Sequence, residues 1–188
     1  MADRKYCLCC GEDVPFNRVQ REGRTELTCA FCGFTLDVAE EPLPARGSTI
    51  FLADDSRVTR DLLHGILLSR GIAPDVRSFP DGTAFVSAVS KLFSDHQTLS
   101  LAILDLNMPG MDGLTAARTL RALEGQLGLE RTPLIFFSSV KCDEDLRRQL
   151  VATAPASYVN KGSDSEPDRL VERIDKLISY ILMKQGGK

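Results

Sequence analysis

Asp54, Asp55, Asp105, Ser138 and Lys161 stand at, or just past, the ends of short apolar runs in this 188-residue chain. The runs are TIFLA at 49–53, LAIL at 101–104, LIFF at 134–137 and SYV at 157–159. Short apolar runs that alternate with helix-like stretches mark buried strands of a parallel sheet. In an open sheet of this kind, function gathers outside the carboxyl ends of the strands. Three carboxylates, one hydroxyl and one ammonium would then converge on one edge. Crowded carboxylates raise each other's pKa unless a cation relieves them. An all-oxygen cluster suits Mg²⁺, which takes a few carboxylates and keeps waters for a phosphate to displace. Lysine adds a point charge and serine a hydroxyl, so the set is built for a phosphoryl group, with Asp105 as the most central nucleophile.

The cysteines form a second constellation. Five of the six lie in the first 32 residues, and Cys142 stands alone far downstream. Cys7 with Cys10 and Cys29 with Cys32 make two C-x2-C-G units, with 18 residues between the pairs. That spacing is expected of a zinc site in which four thiolates surround one ion. Gly11 and Gly33 follow the second cysteine of each pair, where the turn calls for positive φ and backbone N–H groups facing sulfur. They also set the register: Cys10 is followed by glycine, so it is the ligand and Cys9 a spare thiol. A reduced, unliganded cluster is the bland alternative. A redox dithiol needs only one C-x-x-C, and a catalytic zinc needs an open position that four thiolates close. The segment resembles a zinc ribbon, with antiparallel strands near VPFNRVQ and TELTCAF. So small a unit depends on its metal for most of its folding free energy.

The elements that must position these residues follow from the pattern. Residues 37–48, DVAEEPLPARGS, have two prolines and four charges without periodicity, and form a linker between a unit at 1–36 and one at 49–188. After the strand at 49–53, helical spacing runs from Val58 to about Gly71. A second strand is expected at 76–79 and a helix at 83–93. The third strand is 101–104, with a helix at 114–123. The fourth strand, 134–137, precedes a helix at 144–151; the fifth, 157–159, precedes a closing helix through Leu170, Ile174, Leu177, Ile178 and Ile181. Five β/α units, each strand apolar throughout, imply a doubly wound parallel sheet covered by helices on both faces.

Composition narrows the function. The chain is 43% hydrophobic and 26% charged with net charge −3, as expected of a globular protein. It offers no global charge for binding nucleic acid or a membrane. No apolar run approaches the roughly 18 residues of a membrane span. MADRKYCLCC lacks the apolar core of a signal peptide, so a cytoplasmic location is expected.

With DLNMPGMDG at 105–113 and the order DD, D, S, K through five β/α units, residues 48 to about 184 resemble the receiver domain of bacterial two-component response regulators. The resemblance implies a flavodoxin-like (βα)5 sheet of order 2-1-3-4-5. It implies that Asp105 accepts phosphate from a histidine kinase or phosphotransfer protein. Asp55, Asp105 and the backbone carbonyl of Asn107 would hold Mg²⁺, with Asp54 helping through water. Lys161 would pair with a phosphate oxygen, Ser138 would hydrogen-bond the phosphate, and Tyr158 occupies the aromatic switch position. Three positions depart from the family or qualify it. Gly162 stands where proline is usual, Ser139 where alanine is common, and Val140 where an apolar side chain cannot orient an attacking water.

Ordinary roles compete at single residues. Asp54 and Asp55 could merely cap the next helix, Ser138 and Lys161 could be loop residues, and Tyr158 could be packing. His64 and His96 lack partners at ligand spacing, and Cys142 reads as a helix-start residue without a role. Two functions follow. In the first, phosphorylation switches binding to partner proteins or a second copy, with the ribbon as docking or oligomerisation module. In the second, the ribbon binds nucleic acid under receiver control. Residues 1–36 carry five Lys or Arg and five Asp or Glu, so the basic patch of a nucleic-acid binder is missing and protein binding is favoured.

Overall fold

The computed structural model describes residues 4–7, 9–21, 24–37 and 49–162, together with 174, 177 and 180. The linker residues 38–48, and Leu170, Ile178 and Ile181 of the expected closing helix, lie outside them.

The N-terminal part is a four-stranded antiparallel sheet in sequence order: β1 (Arg4–Cys7), β2 (Glu12–Arg21), β3 (Arg24–Cys29) and β4 (Thr35–Asp37). Each pair of cysteines flanks a turn, one between β1 and β2 and the other between β3 and β4. Strands β2 and β3 pair from Phe16 with Cys29 through to Arg21 with Arg24.

The second sheet is parallel and ordered β6-β5-β7-β8-β9, which is 2-1-3-4-5 counted within it. Its strands are β5 (Thr49–Ala53), β6 (Asp75–Phe79), β7 (Leu101–Leu104), β8 (Leu134–Ser138) and β9 (Ala156–Asn160). They alternate with α1 (Arg57–Ser69), α2 (Gly82–Ser94), α3 (Gly113–Leu127) and α4 (Glu144–Val151). Side chains of a strand point alternately to its two faces. Ile50 and Leu52 of β5 therefore pack with Leu63 and Leu67 of α1 and with Ile174 and Leu177, both helical. Phe51 and Ala53 pack with Phe85 and Val89 of α2 and Ala116 and Leu120 of α3. Both faces are covered, so β7 is apolar throughout, and β5 and β8 are apolar apart from Thr49 at the start of one and Ser138 at the end of the other. The edge strand β6 departs from that expectation. Only Val76 is buried in it, while Arg77 reaches solvent and pairs with Asp75 at 2.8 Å.

Short polar side chains start each helix by accepting from an otherwise unpaired backbone N–H. Ser56 accepts from Thr59, Asp81 from Ala84, Asp112 from Thr115 and Asp143 from Leu146. The cap of α1 is thus Ser56, which leaves Asp54 and Asp55 for another use. At the sheet's other end the guanidinium of Arg121, on α3, is 2.6 Å from Glu124 and donates to the carbonyls of Thr132 and Thr153. Glu124 in turn accepts from the Thr132 N–H. No helix among the described residues is long and apolar enough to cross a membrane.

Gly113 opens α3 where the chain has just turned back over β7. A Cβ there would lie 1.9 Å from the Asp105 carbonyl oxygen, so only glycine lets the helix start this close to the strand end. Gly113→Ala must push α3 or the Asp105 turn aside. It should cost about 1–3 kcal/mol, the range for overpacking a tight site, read as a lower urea midpoint with an unchanged m-value.

Candidate functional site

Strands β5, β7 and β9 end side by side with β8 between them, and their last residues lead into the acidic cluster. Oxygens of Asp54, Asp55 and Asp105 lie within 4.8 Å of one another. Asp54 and Asp105 are buried and Asp55 is exposed. The Lys161 ammonium arrives from the end of β9 and sits 3.1 Å from Asp54 Oδ2 and 2.5 Å from Asp105 Oδ2. Burial penalises this ammonium, yet the two carboxylates outweigh that penalty and hold its pKa above the ordinary lysine value. Burial also pushes the Asp54 carboxyl up to about 6, with Asp105 adding to the rise and Lys161 opposing it.

The backbone fixes each carboxylate. Asp105 N–H donates to the Ala53 carbonyl at 2.8 Å, and its Oδ1 accepts from Asn107 N–H at 3.2 Å. Asp54 Oδ1 accepts from Ser56 N–H at 2.9 Å. Lys161 N–H donates to the Ser138 carbonyl at 3.0 Å, which ties the ends of β8 and β9 together. The next residue, Gly162, has φ of 81°, a conformation closed to the proline common there, whose ring holds φ near about −65°.

Ser138 is fully buried, and its Oγ is the one buried side-chain nitrogen or oxygen among the described residues with no hydrogen-bond partner. Buried hydroxyls are nearly always paired, so an orphan of this kind marks a place for a missing acceptor or donor. Tyr158 is also buried. Its hydroxyl donates to the carbonyls of Ser138, at 3.2 Å, and Val140. Burial raises the Tyr158 pKa, so it stays a neutral donor. The ring at the expected switch position thus lies inside.

In the N-terminal sheet the sulfurs of Cys7, Cys10, Cys29 and Cys32 lie within 4.8 Å of one another. Cys7 and Cys32 are 3.6 Å apart, and Cys10 and Cys29 are 3.7 Å apart. Four sulfurs at the usual zinc distance of about 2.3 Å would be separated by about 3.8 Å, so the pocket fits a tetrahedral ion. Gly11 and Gly33 take φ of 75° and 68°. Their N–H groups, however, donate to the carbonyls of Cys7 and Cys29. The donors facing sulfur are the N–H groups of Cys10, on Cys7, and of Phe31 and Cys32, on Cys29. Crowding divides the thiols. Hydrogen bonding to Cys7 and Cys9 holds Cys32 far below the thiol range, while hydrogen bonding to Cys32 raises Cys7. Burial pushes Cys10 up to about 12. Only a central cation would let all four ionise together.

Two cysteines occupy places their sequence positions do not suggest. Cys9, 3% exposed, has the Cys142 and Cys32 thiols as its strongest electrostatic neighbours. Cys142, in the β8–α4 loop, therefore meets the N-terminal sheet. His64 Nδ1 is 2.9 Å from the Ser78 hydroxyl, and His96 follows α2 with φ of 56°. Neither belongs to a cluster with metal-ligand geometry among the described residues.

Comparison with known proteins agrees with this geometry. Residues 50–175 match the family model described as the response regulator receiver domain. A gliding motility regulatory protein of Myxococcus xanthus is 32% identical over 134 residues, covering 71% of this chain and 16% of that protein. A protein-glutamate methylesterase/protein-glutamine glutaminase of Methanosarcina mazei is 28% identical over 134 residues, covering 68% of this chain and 34% of that protein. The chain thus spans only a minor part of these relatives' length. Among solved structures, the response regulator domain of Thermotoga maritima CheB matches with a TM-score of 0.55 at 19% identity, covering 74% of this chain and 97% of that one. The Mg²⁺-bound receiver domain of the Arabidopsis thaliana histidine kinase CKI1 matches with 0.58 at 19% identity, covering 75% and 96%. With two thirds of its length in the matched sheet and its charged cluster at the strand ends, the chain belongs to the response regulator receiver family.

Proposed function

We propose that this protein is a phosphoacceptor in a two-component relay, receiving a phosphoryl group on Asp105 and passing the change on through protein contacts. The orphaned Ser138 hydroxyl carries the reading, because Lys161 is already held by Asp54 and Asp105 while this buried hydroxyl waits for an acceptor. In the transfer, an Asp105 carboxylate oxygen bonds to phosphorus while the bond from phosphorus to the donor histidine nitrogen breaks, and the electron pair stays on the imidazole. Asp55, Asp105 and the Asn107 carbonyl would hold Mg²⁺ directly and Asp54 through water. The ion would supply positive charge for the phosphoryl oxygens. Lys161 now neutralises Asp105 and is placed to follow the charge onto a phosphoryl oxygen, while Ser138 donates to another. The donor is a histidine kinase or phosphotransfer protein, and the readout is a downstream protein or a second copy. The N-terminal sheet serves as a zinc ribbon, with Cys7, Cys10, Cys29 and Cys32 as ligands and the metal in a structural role.

Three measurements test this. Asp105→Asn keeps the shape and removes the nucleophile, so Mg²⁺-dependent labelling by a small phosphodonor should disappear; full labelling of that variant would sink the assignment. Asp54, with its pKa raised to about 6, holds a proton below that pH that a cation must displace. Mg²⁺ affinity should therefore be near its maximum above about pH 7 and fall by up to about tenfold per unit below pH 6, as calorimetric titration would show. Purified protein should carry about one zinc per chain. Cys10→Ser should lose it and Cys9→Ser should keep it; the opposite pattern in elemental analysis would move the register.

A further inference from the structure

The β8–α4 segment joins the two halves of the molecule. At one end is Ser138, whose buried hydroxyl has no partner among the described residues and whose carbonyl accepts from the Lys161 N–H. Four residues later comes Cys142, which shares the lining of one cavity with Cys9 of the first cysteine turn. One turn into α4, Arg147 covers the second cysteine turn so closely that a Cβ on Gly33 would lie 2.9 Å from its Nη1. Cys9, Cys32 and Gly33 on one side and Lys141, Cys142 and Arg147 on the other line a cavity of about 450 Å³. Deeper in, the contact is dry. Cys7, Cys9, Val14 and Cys29 belong to the same buried apolar cluster as Phe136, Leu150 and Tyr158.

The segment has little slack. Tyr158 OH holds the carbonyls of both Ser138 and Val140, and Asn160 Nδ2 also donates to Val140, at 3.3 Å. A phosphoryl oxygen that accepts from the Ser138 hydroxyl pulls this end of the segment toward Asp105. Ser139, Val140 and Lys141 cannot absorb the shift without disturbing the Tyr158 bonds or the seat of Cys142 against Cys9. Packed contacts of this sort switch between discrete arrangements more readily than they stretch.

We propose that the N-terminal sheet is the receiver's own ligand, docked on residues 138–147 in the resting state and released when a phosphoryl group occupies Asp105. The inference rests on the phosphoacceptor reading and adds what that reading controls. It makes the metal of the cysteine cluster a second input, because a sheet unfolded by metal loss cannot dock. Linkage makes the effect reciprocal: whatever undocks the sheet must tighten binding of the phosphoryl group by the same factor.

The test uses the full zinc-loaded chain, with Mg²⁺ and beryllofluoride as the phosphoryl mimic. Two readouts are taken: mimic affinity by calorimetry and the alkylation rate of Cys9 by peptide mass spectrometry. In the resting chain Cys9 should be protected, and saturating mimic should speed its alkylation about fivefold or more, the lower end of ordinary allosteric coupling. Cys142→Glu sets a carboxylate against the anionic cluster and should undock the sheet. In that variant Cys9 should react quickly without the mimic, and the mimic should bind more tightly by a similar factor. Cys142→Ser keeps size and neutrality and should behave as the parent does. Mimic binding with no acceleration at Cys9 would overturn the inference alone. Failure of the mimic to bind would overturn the phosphoacceptor reading, and this inference with it.

Discussion

A buried ammonium between two buried carboxylates organises this molecule. Lys161 is drawn into the site by Asp54 and Asp105, and those carboxylates are tolerated there because Lys161 reaches them. Removing one member of such a group leaves an uncompensated charge in a poor dielectric, which costs far more than losing a surface pair. The geometry is therefore set jointly by three strand ends, β5, β7 and β9, and the parallel register that aligns them. Gly113 and the helix caps serve the same end, since they let α3 start against the Asp105 turn and free Asp54 from capping α1.

The imbalance inside that group gives it its chemistry. Two buried carboxylates and one exposed one face a single ammonium, so the site is anionic and short of cations. Burial, with the Asp105 charge adding to it, raises the Asp54 carboxyl to about 6, and a divalent ion would oppose that rise. The cysteine cluster meets the same problem with softer atoms. Four sulfurs packed at tetrahedral separations cannot all ionise unaided, and the N–H groups of Cys10, Phe31 and Cys32 lessen the repulsion only in part. Each half of the chain thus brings potential metal ligands together at a cost that a cation would offset, oxygen in one and sulfur in the other.

What the sequence disclosed divides along physical lines. The apolar runs at 49–53 and 101–104 coincide with β5 and β7, and the helix at 144–151 with α4, because buried strands and capped helices write their pattern locally. Edge strand β6 was blurred, since a strand with one partner need not be apolar on both faces. Strand ends brought Asp54, Asp55, Asp105, Ser138 and Lys161 together as the pattern implied. Tyr158's inward seat was not legible, because it depends on carbonyls of another strand and loop. Arg121 and Glu124 drew no notice in the sequence, yet their side chains are buried against the segments that lead into β8 and β9. Cys9 and Cys142 were least legible of all. Their meaning lies in a contact between residues 133 positions apart, and no periodicity encodes such a contact.

That contact changes how the small N-terminal sheet should be understood. Alone, a four-stranded sheet of this size buries too little apolar surface to be stable without help. Metal ligation is one source of help, and the shared cluster that includes Val14, Leu150 and Tyr158 is another. The two would reinforce each other, because an ion held by the four sulfurs would fix the cysteine turns, and those turns present Cys9 and Gly33 to the β8–α4 segment. The sheet's stability and its position are consequently not separate properties. A perturbation that loosens the seat at Cys142 withdraws part of what holds the sheet together, and one that unfolds the cysteine turns removes the surface that the β8–α4 segment meets.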